Sequence, residues 1–140
     1  MRHIISILME NEPGALSRVV GLFSQRNFNI ETLNVAPTED PSLSRLTVTT
    51  IGDDRVIEQI TKHLNKLIDV IKVSDISDQN IVSRELALIR VKANVQSRSE
   101  IMQIVDIFRA NIVDVATDSL IVEVSGDEGK VDSLHELLKS

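Results

Sequence analysis

Ile4 to Met9 is a short apolar run rich in β-branched residues, and it reads as a buried strand. Asn11-Glu12-Pro13-Gly14 breaks it. Beyond the break, Leu16, Val19, Val20 and Phe23 fall at i, i+3, i+4 and i+7, which puts all four on one helix face. Asn27 closes this helix, because asparagine tolerates the left-handed cap conformation. Ile30 to Ala36 reads as a second strand, Pro37 to Pro41 as a polar connection, and Leu46 to Ile51 as a third strand. Gly52-Asp53-Asp54 starts a second helix with the stripe Ile57, Ile60, Leu64 and Leu67, and Ile68 to Val73 gives a fourth strand.

The order then repeats. Leu86 to Ala93 is strand-like, with Ala87, Ile89, Val91 and Ala93 on one face. Ile101, Ile104, Val105 and Phe108 reproduce the spacing of the first helix at an offset of 85. Gly126-Asp127-Glu128 matches Gly52-Asp53-Asp54, and Val131, Leu134 and Leu138 match Ile57, Ile60 and Leu64 at an offset of 74. The smaller offset is attributed to the missing Pro37–Pro41 excursion. Two stripes in the same order with the same helix start point to duplication. The expected fold is α+β, with two tandem ferredoxin-like βαββαβ modules. They span residues 1–76 and 84–140, with a linker at 77–83. The second copy stops at its second helix, at Ser140, without a fourth strand; the chain is shortened there or a partner supplies the edge. Modules of about 70 residues bury a limited share of their surface and gain from packing against something else.

Composition narrows the function more than the fold. The chain has 140 residues, 42% apolar and 26% charged, a globular mix. Cysteine is absent, which excludes disulfides, thiolate metal sites and cysteine nucleophiles and agrees with a cytoplasmic setting. No apolar run approaches a membrane span, and Met1-Arg2-His3-Ile4 has no signal-peptide shape. His3, His63 and His135 are not spaced as metal ligands, and no P-loop, dinucleotide fingerprint or nucleophile elbow occurs. Asp53-Asp54 and Asp127-Glu128 sit where carboxylates complement a helix dipole rather than where they catalyse. Nucleic acid is excluded as a partner twice over. The net charge is −6 with neither half basic, and no Trp or Tyr offers a base-stacking surface.

One segment has ligand-binding chemistry. The amides of Gly14, Ala15 and Leu16 open the first helix and have no partner within it. A carboxylate placed there gains hydrogen bonds and the helix dipole, together about 0.3–1 kcal/mol and up to about 2 when partly buried. The side-chain amides of Asn11 and Asn29 carry both donors and acceptors, so a zwitterionic amino acid suits the loop. Asn-x-Pro-Gly is equally an ordinary turn.

Asn11-Glu12-Pro13-Gly14-Ala15-Leu16-Ser17-Arg18 with Phe23 to Leu33 closely resembles an ACT domain. More narrowly, the stretch resembles the family of regulatory small subunits of acetohydroxyacid synthase (acetolactate synthase). The resemblance continues through Val35-Ala36-Pro37-Thr38-Glu39-Asp40-Pro41, Ser44 to Thr47 and Leu67 to Val70. It is strong over 1–76 and weaker but collinear over 84–140. It departs at Asn27, where many relatives carry glycine.

The resemblance implies that valine is bound between paired ACT domains. Asn11, Gly14, Ala15 and Leu16 would come from one subunit, and Asn29 and Ile30 from its partner. It further implies activation of a separate catalytic large subunit, reversed by valine. Thiamine diphosphate, magnesium and FAD belong to that catalytic subunit and none to this chain. The strand Asn29 to Val35 carries little charge and would lie at a sheet edge, which suits a homodimer through one continuous sheet. The alternatives are a constitutive assembly subunit without an effector, a sensor of leucine or isoleucine, and a small enzyme; the last has no acid–base or nucleophile set to support it.

Overall fold

Alternation of apolar and polar residues turns His3, Ile5, Ile7 and Met9 to one side of the first strand, and all four are buried. That side is the floor of the first core in a computed structural model, which describes residues 2–139. The chain divides into two units, 1–81 and 82–140.

In the first unit the order is β1 (Arg2–Glu10), α1 (Ala15–Gln25), β2 (Thr32–Pro37), β3 (Leu43–Ile51), α2 (Asp54–Asn65) and β4 (Val70–Asp75). The antiparallel sheet runs β2-β3-β1-β4, the ferredoxin-like order. Val19 and Phe23 of α1 and Ile57, Ile60 and Leu64 of α2 pack on Ile5, Ile7, Leu46 and Val48. Asp53 caps α2 by accepting from the Val56 amide at 2.9 Å. Asn27 sits at φ +60 just past α1, so the expected left-handed cap is present.

β1 and β3 run longer than expected, β3 from Leu43 rather than Leu46, and two other strands begin late. β2 begins at Thr32, leaving Asn29 and Ile30 in the preceding loop, where Ile30 rests on the core. β4 begins at Val70, and Ile68 is 90% exposed. The apolar run Leu67-Ile68 has no phase of its own, and turn bonds from Leu67 to Leu64 and from Val70 to Leu67 carry the chain around it. Past β4, Ile76 donates to the Ile4 carbonyl at 2.9 Å, and the Ile4 amide donates to Ser77 Oγ at 2.8 Å. Ser77, expected in the linker, is therefore tied to β1. His3 closes the same corner by donating from Nδ1 to Asp75 at 2.9 Å.

The second unit has β5 (Glu85–Lys92), α3 (Arg98–Ile107), β6 (Asn111–Val115), β7 (Ser119–Gly126) and α4 (Glu128–Leu138). Its sheet runs β5-β7-β6. Among the described residues, the place beside β5 that β4 takes in the first unit is unfilled. Asp127 caps α4 through the Lys130 amide at 2.8 Å, as Asp53 caps α2.

The duplication stands, but its first register needs correction. Phe28 donates to Phe23 at the end of α1, and Ala110 donates to Val105 at the end of α3, an offset of 82 rather than 85. Buried Val19 and Phe23 correspond to Ile101 and Val105 on the same offset. An i, i+3, i+4, i+7 stripe matches itself after a three-residue slip, so spacing alone could not choose. With the offset corrected, most of the shortening comes from two places. The α1–β2 loop has six residues (26–31) against three (108–110), and the hairpin loop has five (38–42) against three (116–118).

Candidate functional site

The β1–α1 loop is held where it leaves the sheet. Glu10 donates its amide to the Asp69 carbonyl at 2.8 Å. Asn11 donates its amide to the Ser42 carbonyl at 2.8 Å and its side-chain Nδ2 to the Pro41 carbonyl at 3.1 Å. Asn11 is thus tied to the β2–β3 loop, and its free group is the Oδ1 acceptor. Pro13 fixes its own φ, and Gly14 takes φ +82, ψ −7, a left-handed conformation that glycine adopts without a Cβ penalty. The Ala15 amide closes the turn onto the Glu12 carbonyl at 3.1 Å, and the Arg18 amide closes the first helical turn onto Gly14 at 3.0 Å. Of the three amides expected to be open, Ala15 is therefore engaged; its side chain is buried as well. Gly14 and Leu16 donate to no described residue.

A cleft of about 210 Å³ lies against this helix start. Asn11, Glu12, Ala15 and Leu16 form one wall. Val35, Ala36 and Pro37 of β2 form the other. It is smaller than the roughly 300–1,000 Å³ typical of sites for drug-sized ligands, which suits a single small metabolite. Gly14 does not line the cleft; the open Leu16 amide favours an anion there, and the nearby carboxylates of Glu10 and Glu12 favour a cation.

Asn29 and Ile30 do not reach it in the same chain. Asn29 is exposed, with its carbonyl accepting from Thr50 Oγ1 at 2.6 Å. They precede Thr32, which pairs with Thr49, whereas the cleft lies at Pro37, which pairs with Ser44. The two ends of β2 are about 20 Å apart at the usual strand rise. All six β2 residues are exposed, Leu33 and Val35 among them, and the outer edge of β2 pairs with no described strand.

Two contributions escape a reading of the loop motif alone. The first is the hairpin loop: Asp40 accepts from the Ser42 amide at 3.0 Å and Ser42 Oγ at 2.7 Å, which shapes the support for Asn11. Those bonds hold the Asp40 carboxyl below its ordinary range. The second is Arg18, which donates from Nε to Asp69 at 2.5 Å; this bond raises the Arg18 pKa above its usual value. The signal for the first lay in the Pro37–Pro41 segment, read as a polar connection. Nothing local in sequence joins residues 18 and 69. Among the described residues no three His, Cys, Asp or Glu side chains gather as a metal site, and no helix is long and apolar enough to cross a membrane.

A ferredoxin-like unit with a small cleft at a glycine-started helix is the architecture of an ACT module. Residues 5–72 match the AHAS small subunit-like ACT domain. Residues 84–140 match the small subunit of acetolactate synthase. The chain is 55% identical over 139 residues to the acetolactate synthase small subunit of Haemophilus influenzae, covering 99% of this chain and 85% of that protein. It is 50% identical over 133 residues to the isozyme 3 small subunit of Escherichia coli, covering 95% and 82%. The crystal structure of the acetolactate synthase small subunit from Thermotoga maritima superposes with a TM-score of 0.92 at 41% identity, covering 99% of this chain and 86% of that one. The chain belongs to the acetolactate synthase small-subunit family.

Proposed function

We propose that this chain is the regulatory, non-catalytic subunit of an acetolactate synthase, one that activates the catalytic large subunit and carries feedback inhibition by valine in branched-chain amino-acid synthesis. The observation that carries this reading is the cleft of about 210 Å³ lined by Leu16, whose amide is open, inside the family-matched domain. The carboxylate of the effector sits on the Leu16 amide, its ammonium turns toward Asn11 Oδ1 and Glu12, and its small side chain rests against Val35 and Ala36. Thiamine diphosphate, magnesium and FAD belong to the catalytic subunit, in the cytoplasm where this biosynthesis runs.

The exposed edge of β2 is the proposed dimer seam. A twofold pairing of two β2 strands is antiparallel, so the start of one strand lies beside the end of the other. Asn29 and Ile30 of the partner subunit then approach the cleft at Pro37. This arrangement brings together residues that lie at opposite ends of β2 in a single chain. Valine bound across the seam favours one dimer arrangement, and its effect equals its difference in affinity for the two.

The test is calorimetric titration with L-valine, using L-leucine and D-valine as controls, with and without the catalytic subunit. Saturable binding of L-valine near one site per chain is expected. Absence of heat with every branched-chain amino acid in both preparations leaves a constitutive assembly subunit instead. Stronger binding of L-leucine reassigns the effector, since one methylene changes affinity by only about 1–3 kcal/mol. A monomer in sedimentation under saturating valine removes the seam.

A further inference from the structure

We infer that Arg18 and Asp69 form a positioning pair that holds the Pro13–Gly14 turn in the shape the effector site requires. The inference rests on the effector reading above and concerns residues which that reading leaves unused. Asp69 is 6% exposed and stands between α2 and β4. In the sheet order, β4 and β2 lie on opposite sides of β1, so Asp69 supports the loop from the side away from the cleft.

Asp69 holds the loop through two separate groups. Its carbonyl accepts from the Glu10 amide at 2.8 Å, and its carboxylate accepts from Arg18 Nε at 2.5 Å. The guanidinium carries the support onward to the turn. Arg18 Nη2 lies 3.5 Å from the Pro13 carbonyl, and Nη1 lies 3.0 Å from where a Cβ on Gly14 would stand. One planar group therefore touches the buried carboxylate, the proline carbonyl and the left-handed glycine. A guanidinium is a rigid fork, so the orientation set by Asp69 is passed directly to the turn. An ammonium is a point charge on a flexible stem and cannot transmit orientation in this way. Arg18 is about half exposed, and exposed ion pairs add little stability, so geometry is the larger part of what the pair supplies.

Arg18→Lys and Asp69→Asn in the full chain test this. Lysine keeps a charge partner for Asp69, so its thermal midpoint stays near wild type. Binding of L-valine by Arg18→Lys weakens about tenfold or more. Amide exchange at Ala15, the bond that closes the turn onto Glu12, quickens by about the same factor in both variants while β1 amides are unchanged. A purely structural ion pair predicts instead that lysine restores affinity and exchange together. Wild-type affinity and wild-type Ala15 exchange in Arg18→Lys overturn the inference. Where the unmodified chain binds no amino acid with or without the catalytic subunit, the effector reading fails, and Ala15 exchange still decides the role of the pair. Should Arg18→Lys not fold, Asp69→Asn gives the same exchange reading.

Discussion

The two units share a frame and differ where their first helices begin. In the first, a left-handed Gly14 starts α1 and leaves the Gly14 and Leu16 amides open. In the second, Ser97 starts α3 in a right-handed conformation, and the side chains of Asn94 and Ser97 bond within their own loop. Asn94 Oδ1 accepts from the Ser97 amide at 2.8 Å, the Asn94 amide donates to Ser97 Oγ at 3.0 Å, and the Arg98 amide donates to the Asn94 carbonyl at 3.1 Å. Arg98 then reaches the Ala116 and Thr117 carbonyls on the neighbouring hairpin. The longer hairpin loop of the first unit supplies the Pro41 and Ser42 carbonyls that hold Asn11, whereas Asn29 and Ile30 sit in the other lengthened loop, at the far end of β2. The side chains at the second helix start are bonded inside their own loop, whereas Asn11 Oδ1 in the first is left available. The common fold thus fixes a position, and loop chemistry decides whether that position can take a ligand.

The sharpest way to break this contrast is Gly14→Asp. It forces a side chain into φ +82 and drives its Cβ against the Arg18 guanidinium, so the turn that sets the helix start must shift. Valine binding and valine inhibition of the reconstituted enzyme should be lost; retained sensitivity sinks the proposed site. A smaller effect tests what the units share. Asp53→Ala and Asp127→Ala remove equivalent caps and should each cost about 1 kcal/mol in denaturant unfolding, with valine affinity unchanged. A large difference between the two costs would mean that the helices are not supported alike.

The smallest effect is a pH dependence belonging to the first unit. Burial pushes the Asp75 carboxyl up, but hydrogen bonds from Ser77 and His3 outweigh it and hold the group below its ordinary range. A carboxyl depressed on folding contributes stability above its unfolded value and loses that contribution as pH falls through its folded value. Below about pH 4, acid unfolding of the first unit should therefore include an Asp75 component that Asp75→Asn removes. An unchanged acid slope in Asp75→Asn would count against the His3–Asp75–Ser77 corner.

Much of this was legible because helix stripes and Gly-acid-acid starts have strong local causes. Ile57, Ile60 and Leu64, and their counterparts Val131, Leu134 and Leu138, are all buried as the spacing requires. Other features depended on tertiary partners. The offset of 85 could not be told from 82, because a helical stripe repeats every three or four residues. Asn11 carries donors in any sequence, but only the folded hairpin shows that they go to Pro41 and Ser42. Ile68 looks like core until the turn after α2 places it outside. The Arg18–Asp69 contact spans 51 positions and has no periodic signature.

The stitching of Ile76 and Ser77 to Ile4 also has a mechanical consequence. β4 runs antiparallel to β1, with Asp75 opposite Ile5 and Val70 opposite Met9. When the opposing anchor is the start of β1, a pull on the chain beyond Ser77 loads β4 from its last residue, so its bonds open one after another, as in peeling, and are not sheared together. The rupture front starts at the His3 corner and arrives last at Asp69. Modest tension would consume the far end of the strand while the support beneath Gly14 stayed in place.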